Sequence, residues 1–162
     1  MTAGKGIAHT EQTPANNSGR LNGVQLWVAL PDAHRHMDPA FESREQAPVL
    51  EQPGGLLRVF AGSLGRAPSP CRHYSEILGM DVQTHAGEET EVELNPRFEH
   101  AVLVLEGDCA MDGQSLEPAL LHYLGTRRSS VCFHSREGSR VLLIGGPPFP
   151  ETILMWWNFV AR

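Results

Sequence analysis

The chain of 162 residues is long enough for one domain with a substantial core, and its 41% hydrophobic and 20% charged residues are typical of ordinary globular proteins. The formal net charge is -6 and Lys and Arg do not cluster, which argues against direct binding of nucleic-acid phosphates. No run of about 18 apolar residues predicts a membrane span and no signal segment is recognisable, so a cytoplasmic protein is expected.

The first predicted element is a tight turn followed by a short strand. Gly4 and Gly6 can adopt turn conformations that residues with a Cβ resist, and residues 7–11 are predicted to leave that turn as a strand. Residues i and i+2 of a strand point to the same face, so His9 and Glu11 would project side by side. An imidazole and a carboxylate on one face suit a divalent metal such as iron, manganese or zinc. For this spacing taken alone, two solvated side chains at a polar strand end are the commoner arrangement.

Two loops flank the next predicted strand. A polar loop over residues 12–19 leads to a largely buried strand at residues 24–30, which ends at Pro31. The following loop contains His34 and His36, the one His-x-His pair of the chain. Prolines and charged neighbours disfavour a strand there, so both histidines are predicted to be solvated.

Short apolar runs separated by turn residues predict the remaining strands. Residues 48–51 and 56–61 flank a Pro-Gly-Gly turn as a hairpin, and residues 62–70 are predicted to be a flexible hinge or lid. A bulge is expected at Gly79, core positions at Ile77 and Val82, and a tight turn at Asp112-Gly113. Further strands are predicted at residues 75–84, 89–94, 100–106, 120–124, 131–134 and 140–144. This pattern, with 16 glycines and 12 prolines, predicts an all-β sandwich or small barrel such as the cupin jelly roll.

Four segments, which together extend over most of the chain, resemble the pirin family. They are MTAGKGIAHTE at residues 1–11, LNGVQLWVALP at 21–31, HAVLVLEGD at 100–108 and LLIGGPPFPETILMWWNFV at 142–160. The resemblance implies a cupin jelly-roll β-sandwich, in which residues 1–20 are a remnant of the N-terminal cupin and residues 21–162 are the C-terminal pirin-like cupin domain. The family's upstream HPHRGF-like motif is not present, so the chain is expected to be truncated at the N-terminus, and also at the C-terminus.

The same resemblance assigns a metal site. His9 and Glu11 would be ligands of a single non-haem iron, and Glu11 could also act as a catalytic base. The family is similar to quercetin dioxygenases, which implies Fe(II) as the expected divalent metal and a flavonol-like small molecule as the substrate. Because a catalytic metal site needs about three protein ligands, this chain would retain only half of it.

The C-terminal cupin is expected to lack a metal, as the family resemblance also implies. The expected His-x-His position, at residues 93–95, reads Glu-Leu-Asn, and the expected carboxylate falls near Glu99. His100 is one residue away and is predicted to point to the opposite face. His122 and His134 lack partners at metal-ligand spacing, so ordinary, partly buried histidines are expected.

Three functions remain open from the sequence. The chain is a metal-dependent quercetin-type dioxygenase, a non-enzymatic regulatory or protein-binding cupin module, or an inactive fragment. Self-association through unpaired strand edges is expected, and Trp156, Trp157 and Phe159 are predicted to pack mainly in the core. The three widely spaced cysteines argue against a disulfide framework and against a thiolate zinc site.

Overall fold

The computed structural model describes residues 1–153, so the predicted packing of Trp156, Trp157 and Phe159 lies outside the described residues. The described chain is all β-structure and loop. It forms two compact units, which divide between Ser43 and Arg44. The predicted division between residues 20 and 21 refers to two cupin barrels and stays a prediction. No helix able to span a membrane occurs within residues 1–153.

The first unit is organised by a turn at its N-terminus. Thr2 and Ala40 form an antiparallel bridge, with Thr2 N donating to Ala40 O at 2.8 Å and Ala40 N donating to Thr2 O at 3.0 Å. Lys5 N donates to Met37 O at 2.9 Å, which fixes the turn on residues 37–40. Gly4 has φ +51°, and a side chain there would collide with the Met37 carbonyl. The prediction of a glycine-dependent tight turn is confirmed.

Two strands predicted in this unit do not form. Residues 7–11 and 24–30 belong to no strand, so both predictions are wrong. The second stretch is not buried either, since Val24, Trp27 and Val28 are 44%, 59% and 56% exposed. A strand needs a neighbour to pair with, and the described residues of the chain provide none for these segments.

The described part of the second unit contains eleven antiparallel strands. In chain order they are β1 (Val49–Gln52), β2 (Gly55–Leu64), β3 (Ala67–Pro68), β4 (Leu78–Thr84), β5 (Glu89–Glu93), β6 (Glu99–Glu106), β7 (Ala110–Met111), β8 (Gln114–Ser115), β9 (Leu121–Gly125), β10 (Ser130–His134) and β11 (Ser139–Gly146). One sheet has seven strands, in the order β1-β2-β4-β11-β6-β9 with β3 paired to β2, and the other has the order β5-β10-β7-β8.

The core lies between the inward faces of these sheets. On β5, Thr90 and Val92 are fully buried whereas Glu89, Glu91 and Glu93 are exposed, the alternation of a strand with one face on the core. Apolar residues from both sheets form one cluster, whose largest fully buried members are Phe133, Leu57, Met80 and Leu143. The predicted all-β jelly-roll sandwich is confirmed.

Turn chemistry explains where several strands end. Gly54 (φ +78°) closes the predicted β1–β2 hairpin, and Asp112 (φ +50°) with Gly113 (φ +80°) closes the β7–β8 hairpin. The flexible connection predicted for residues 62–70 is wrong, because β2 continues to Leu64 and turns back into β3. The bulge predicted at Gly79 lies instead across from it on β2, where the pairing shifts between Val59 and Ala61.

Candidate functional site

The predicted metal ligands of the first unit are accessible to solvent. His9 and Glu11 are both exposed, and neither side chain makes a hydrogen bond or ion pair within residues 1–153. Both residues follow the anchored glycine turn, which fixes the start of the segment that carries them. The pair therefore remains open to an added ligand, although the strand expected to align the two side chains is not formed.

The donor chemistry of this pair suits a divalent metal, but two donors do not complete a site. No group of three or more His, Cys, Asp or Glu side chains arranged to hold a metal occurs among the described residues. A catalytic metal usually has about three protein ligands together with open positions. Residues 1–153 by themselves therefore do not fit a complete iron site, and no reaction step follows from them alone.

The other predicted histidines have ordinary surroundings. His34 and His36 are exposed, as predicted. His122 lies half-buried on β9 with its Nε2 3.2 Å from the backbone nitrogen of Glu117. His134 is also half-buried, at the end of β10. None of the four belongs to a metal-binding group within the described part of the chain.

His100 is the residue that the sequence assigned to the wrong face. It is 1% exposed and shares the inward face of β6 with Val102 and Val104. Glu99, the expected inward carboxylate, instead accepts a 2.7 Å hydrogen bond from the Tyr123 hydroxyl at the partly exposed edge of the sheet. The alternation of β6 locates His100 on the inward face when it is counted from Val102 and Val104, which lie two and four residues further along the strand.

A row of Cα partners across four neighbouring strands connects His100 with residues that line an open cleft. His100 on β6 is the Cα partner of Gly145 on β11, which pairs with Leu78 on β4, which in turn pairs with Gly62 on β2. Leu78 and Gly62 line an open cleft of about 470 Å³. Phe98 lines the same cleft, and the centroid of its ring lies 6.1 Å from that of the His100 ring.

The imidazole of His100 has no polar partner among the residues that the structure describes. Neither Nδ1 nor Nε2 forms a hydrogen bond, and both atoms are inaccessible to solvent. Burial disfavours the charged ring and lowers the pKa of His100, so the imidazole is held neutral. A neutral imidazole has one donor and one acceptor nitrogen, and both are left unsatisfied in this arrangement.

The three cysteines are all free thiols. Cys109 is 4% exposed in the core, and burial raises the pKa of its thiol. The pKa of Cys132 is raised chiefly by the same effect. Raised pKa values reduce the thiolate fraction at neutral pH, and the thiolate is the form that binds metals and attacks electrophiles. Neither side chain is prepared for such chemistry.

The comparisons with known proteins agree with the fold and extend beyond it. Residues 79–162 match the family model described as the pirin C-terminal cupin domain. A Pseudomonas aeruginosa protein named "Putative quercetin 2,3-dioxygenase" is 40% identical over 162 residues, which is all of this chain and 51% of that protein. A Caulobacter vibrioides pirin-like protein is 32% identical over 99% of this chain and 57% of its own length.

Solved structures give the same result. A crystal structure of quercetin 2,3-dioxygenase from Acinetobacter baumannii superposes with a TM-score of 0.78 and 38% identity, covering 84% of this chain and 46% of that one. The chain thus spans about half the length of the curated relatives and of the solved structure that it matches. Their names describe proteins of about twice its length.

Proposed function

Because this chain belongs to the pirin family, we propose that it contributes His9 and Glu11 to the metal site of a quercetin-type dioxygenase, with a flavonol-like small molecule as substrate. Fe(II) is the metal proposed, as the divalent ion that a His and carboxylate donor set suits in oxygenases. The bound metal would supply the site at which oxygen and substrate react. Ligands beyond these two would come from polypeptide other than the described residues, in a longer protein or in a second molecule.

The observation that carries this proposal is the availability of the two side chains. His9 and Glu11 are two residues apart, exposed, and engaged in no hydrogen bond or ion pair within residues 1–153. A metal ligand needs a free lone pair, and no hydrogen bond or ion pair with another described residue engages those of His9 and Glu11. Glu11 is also proposed as a base, because an ionised carboxylate near the metal could accept a proton from a substrate hydroxyl.

The test is a calorimetric titration of manganese(II) or iron(II) into the purified chain under anaerobic conditions. With two donors, we expect weak binding that is abolished by His9→Ala and by Glu11→Ala, together with little oxygen consumption when quercetin is added. His36→Ala is the matched control, because His36 is also an exposed histidine of the first unit. Tight binding lost in both variants would support ligands donated by a neighbouring chain. Tight stoichiometric binding that survives both substitutions would overturn the assignment.

A second candidate is a non-enzymatic protein-binding module. It is favoured by an exposed apolar segment in the first unit, where Leu26 is 40% and Trp27 59% exposed. Large apolar side chains that remain exposed side by side often belong to an interface. This function would keep its partner binding in the His9→Ala and Glu11→Ala variants, which distinguishes it from metal chemistry.

A further inference from the structure

An apolar segment of the first unit has the properties of a strand without a partner. Residues 24–28, Val-Gln-Leu-Trp-Val, are rich in β-branched and aromatic residues, which favour strands. All of them are exposed, and no backbone–backbone hydrogen bond involves them within residues 1–153. Peptide segments of this kind bind other proteins by adding a strand to an open sheet edge.

Among the outer strands of the described second unit, β9 is the one with an unprotected edge. Charged side chains, prolines and short length all hinder the pairing of an edge strand with another chain. β1 carries Glu51 and lies between Pro48 and Pro53, and β3 and β8 have only two residues each. β5 exposes three glutamates, Glu89, Glu91 and Glu93. β9 reads Leu-His-Tyr-Leu-Gly and contains neither a proline nor an Asp, Glu, Lys or Arg.

We propose that β9 binds residues 24–28 of a second copy of this chain as an added antiparallel strand. The two elements match in length, since β9 also has five residues, and neither contains an acidic or basic residue that would repel the other. Antiparallel pairing is the arrangement of every strand pair in the described sheets. One chain carries both elements and leaves both unpaired, so a second copy supplies a partner for each.

The side chains of the two elements complement each other on both faces. On β9, Leu121 and Tyr123 are 53% and 67% exposed, whereas Leu124 packs against the core cluster. Neighbouring residues of a strand point to opposite faces, so an added strand can place Trp27 beside Tyr123 while Leu26 lies beside Leu124. Aromatic and aliphatic pairs of this kind across adjacent strands stabilise a sheet. Both faces of the contact would bury apolar surface that is now exposed.

The test is a complementation experiment on the full chain, with the association constant measured by sedimentation velocity in the presence of a chelator. The edge variant combines Leu121→Lys with Tyr123→Lys, which places two charges on β9. The segment variant combines Gln25→Pro with Leu26→Pro. Adjacent backbone nitrogens of a strand point to opposite sides, so one of the two prolines removes a donor that faces β9. Each variant alone should associate at least about tenfold more weakly than wild type.

An equimolar mixture of the two variants should form a complex again, because the edge variant retains the apolar segment and the segment variant retains β9. Two controls should associate as wild type does. Val49→Lys with Glu51→Lys places the same charges on exposed positions of β1, and Gln12→Pro with Thr13→Pro places two prolines in a polar loop of the first unit.

Four results would overturn the proposal. A monomeric wild type excludes the contact, and a mixture that stays monomeric excludes pairing between unlike elements. Association of the segment variant alone would show that β9 pairs with β9, and association of the edge variant alone would show that the segments pair with each other. If the edge variant does not fold, a synthetic peptide of residues 21–30 replaces it and should bind the segment variant, and absence of that binding would also refute the contact.

This contact names a partner for the exposed segment on which the second candidate function rests. It involves neither His9 nor Glu11, and the chelator removes metal from the assay. A failure here therefore leaves the metal proposal untouched. The assay contains no other protein, so a failure also leaves the binding of a foreign partner to be measured separately.

Discussion

His100 and Gly145 are direct Cα partners on β6 and β11, and the missing side chain of the glycine makes room for the imidazole. A Cβ at Gly145 would lie 2.5 Å from Cδ2 of His100 and 2.9 Å from the backbone oxygen of Glu99. Real Cβ atoms do not approach other heavy atoms this closely without a shift of their surroundings. The glycine is thus required by a neighbouring side chain and not by a turn.

Gly145→Ala is expected to lower the free energy of unfolding by about 1–3 kcal/mol, the usual cost of overpacking a core. Urea denaturation measures it. Gly23→Ala is the control, since nothing lies within 4 Å of a Cβ placed there. In a double-mutant cycle, His100→Ala should remove part of the penalty, because one of the two close contacts is with the imidazole. Wild-type stability of Gly145→Ala would contradict this account.

The buried histidine also predicts a pH dependence of stability. Burial lowers the pKa of His100 in the folded state, so the unfolded chain binds the proton more readily. The resulting stability is fully present above the unfolded pKa of about 6.5 and is lost as pH falls from there through the lower, folded pKa. Urea titrations of wild type and His100→Phe should therefore diverge below about pH 6.5, with wild type losing more stability. Parallel curves from pH 8 to pH 5 would refute the prediction.

Features of the fold that depend on a few adjacent residues were predicted from the sequence better than features that depend on pairing between segments far apart in the chain. The hairpins at Gly54 and at Asp112-Gly113 depend on residues that adopt positive φ, which is a property of a few adjacent positions. Whether residues 24–30 are buried depends instead on a neighbouring strand, which local sequence does not specify, and in the structure they are exposed. The same limit applies to β3, since Pro68 lies in a predicted loop and its strand character depends on pairing with Ser63.

The site was predictable only in part, for a related reason. His9 and Glu11 were identified from a contiguous motif, and the structure leaves both side chains available. His100 was assigned to the wrong face because a shift of one residue along a strand reverses every side chain. The unsatisfied nitrogens of His100 depend on which residues of other strands surround the ring, which no spacing within one segment reveals.

An ion pair between β4 and β11 is expected to contribute more than the surface pairs do. Arg140 donates to Asp81 through Nη2 at 2.6 Å and through Nε at 3.3 Å, and Asp81 is only 6% exposed. The hydrogen bond to Asp81 is also the main cause that raises the pKa of Arg140. Arg140→Met would leave the buried carboxylate of Asp81 without its ion-pair partner. We therefore expect a loss of about 2 kcal/mol in the free energy of unfolding.

Arg128→Met is the matched control for this pair. The Arg128–Asp112 pair is equally short at 2.6 Å, but its carboxylate is 40% exposed, so about 0.5 kcal/mol or less is expected. Combining Arg140→Met with Asp81→Asn should recover part of the lost free energy of unfolding, because burying a neutral amide costs less free energy than burying an unpaired carboxylate. Equal effects of the two arginine substitutions would show that burial of Asp81 does not matter.

Self-association remains a prediction, and the structure suggests which residues would carry it. Leu26, Trp27 and Val28 are exposed in a segment that pairs with no strand among the described residues. Among the strands of residues 1–153, β9 is the last of its sheet, and it exposes Leu121 and Tyr123, at 53% and 67%. An unpaired segment and an open sheet edge can satisfy each other's backbone groups between molecules.

We therefore expect the mass measured by light scattering to rise with protein concentration, and Trp27→Ser to reduce that rise. Trp27 is the largest apolar side chain of the segment, and removing it takes away the greatest area that association could bury. Phe41→Ser is the control: Phe41 is 73% exposed and belongs to the same unit, but it lies outside the apolar segment. If the two variants act equally, general surface hydrophobicity and not this segment drives association. A mass that stays monomeric across the series would show that these exposed residues do not pair between copies of the chain.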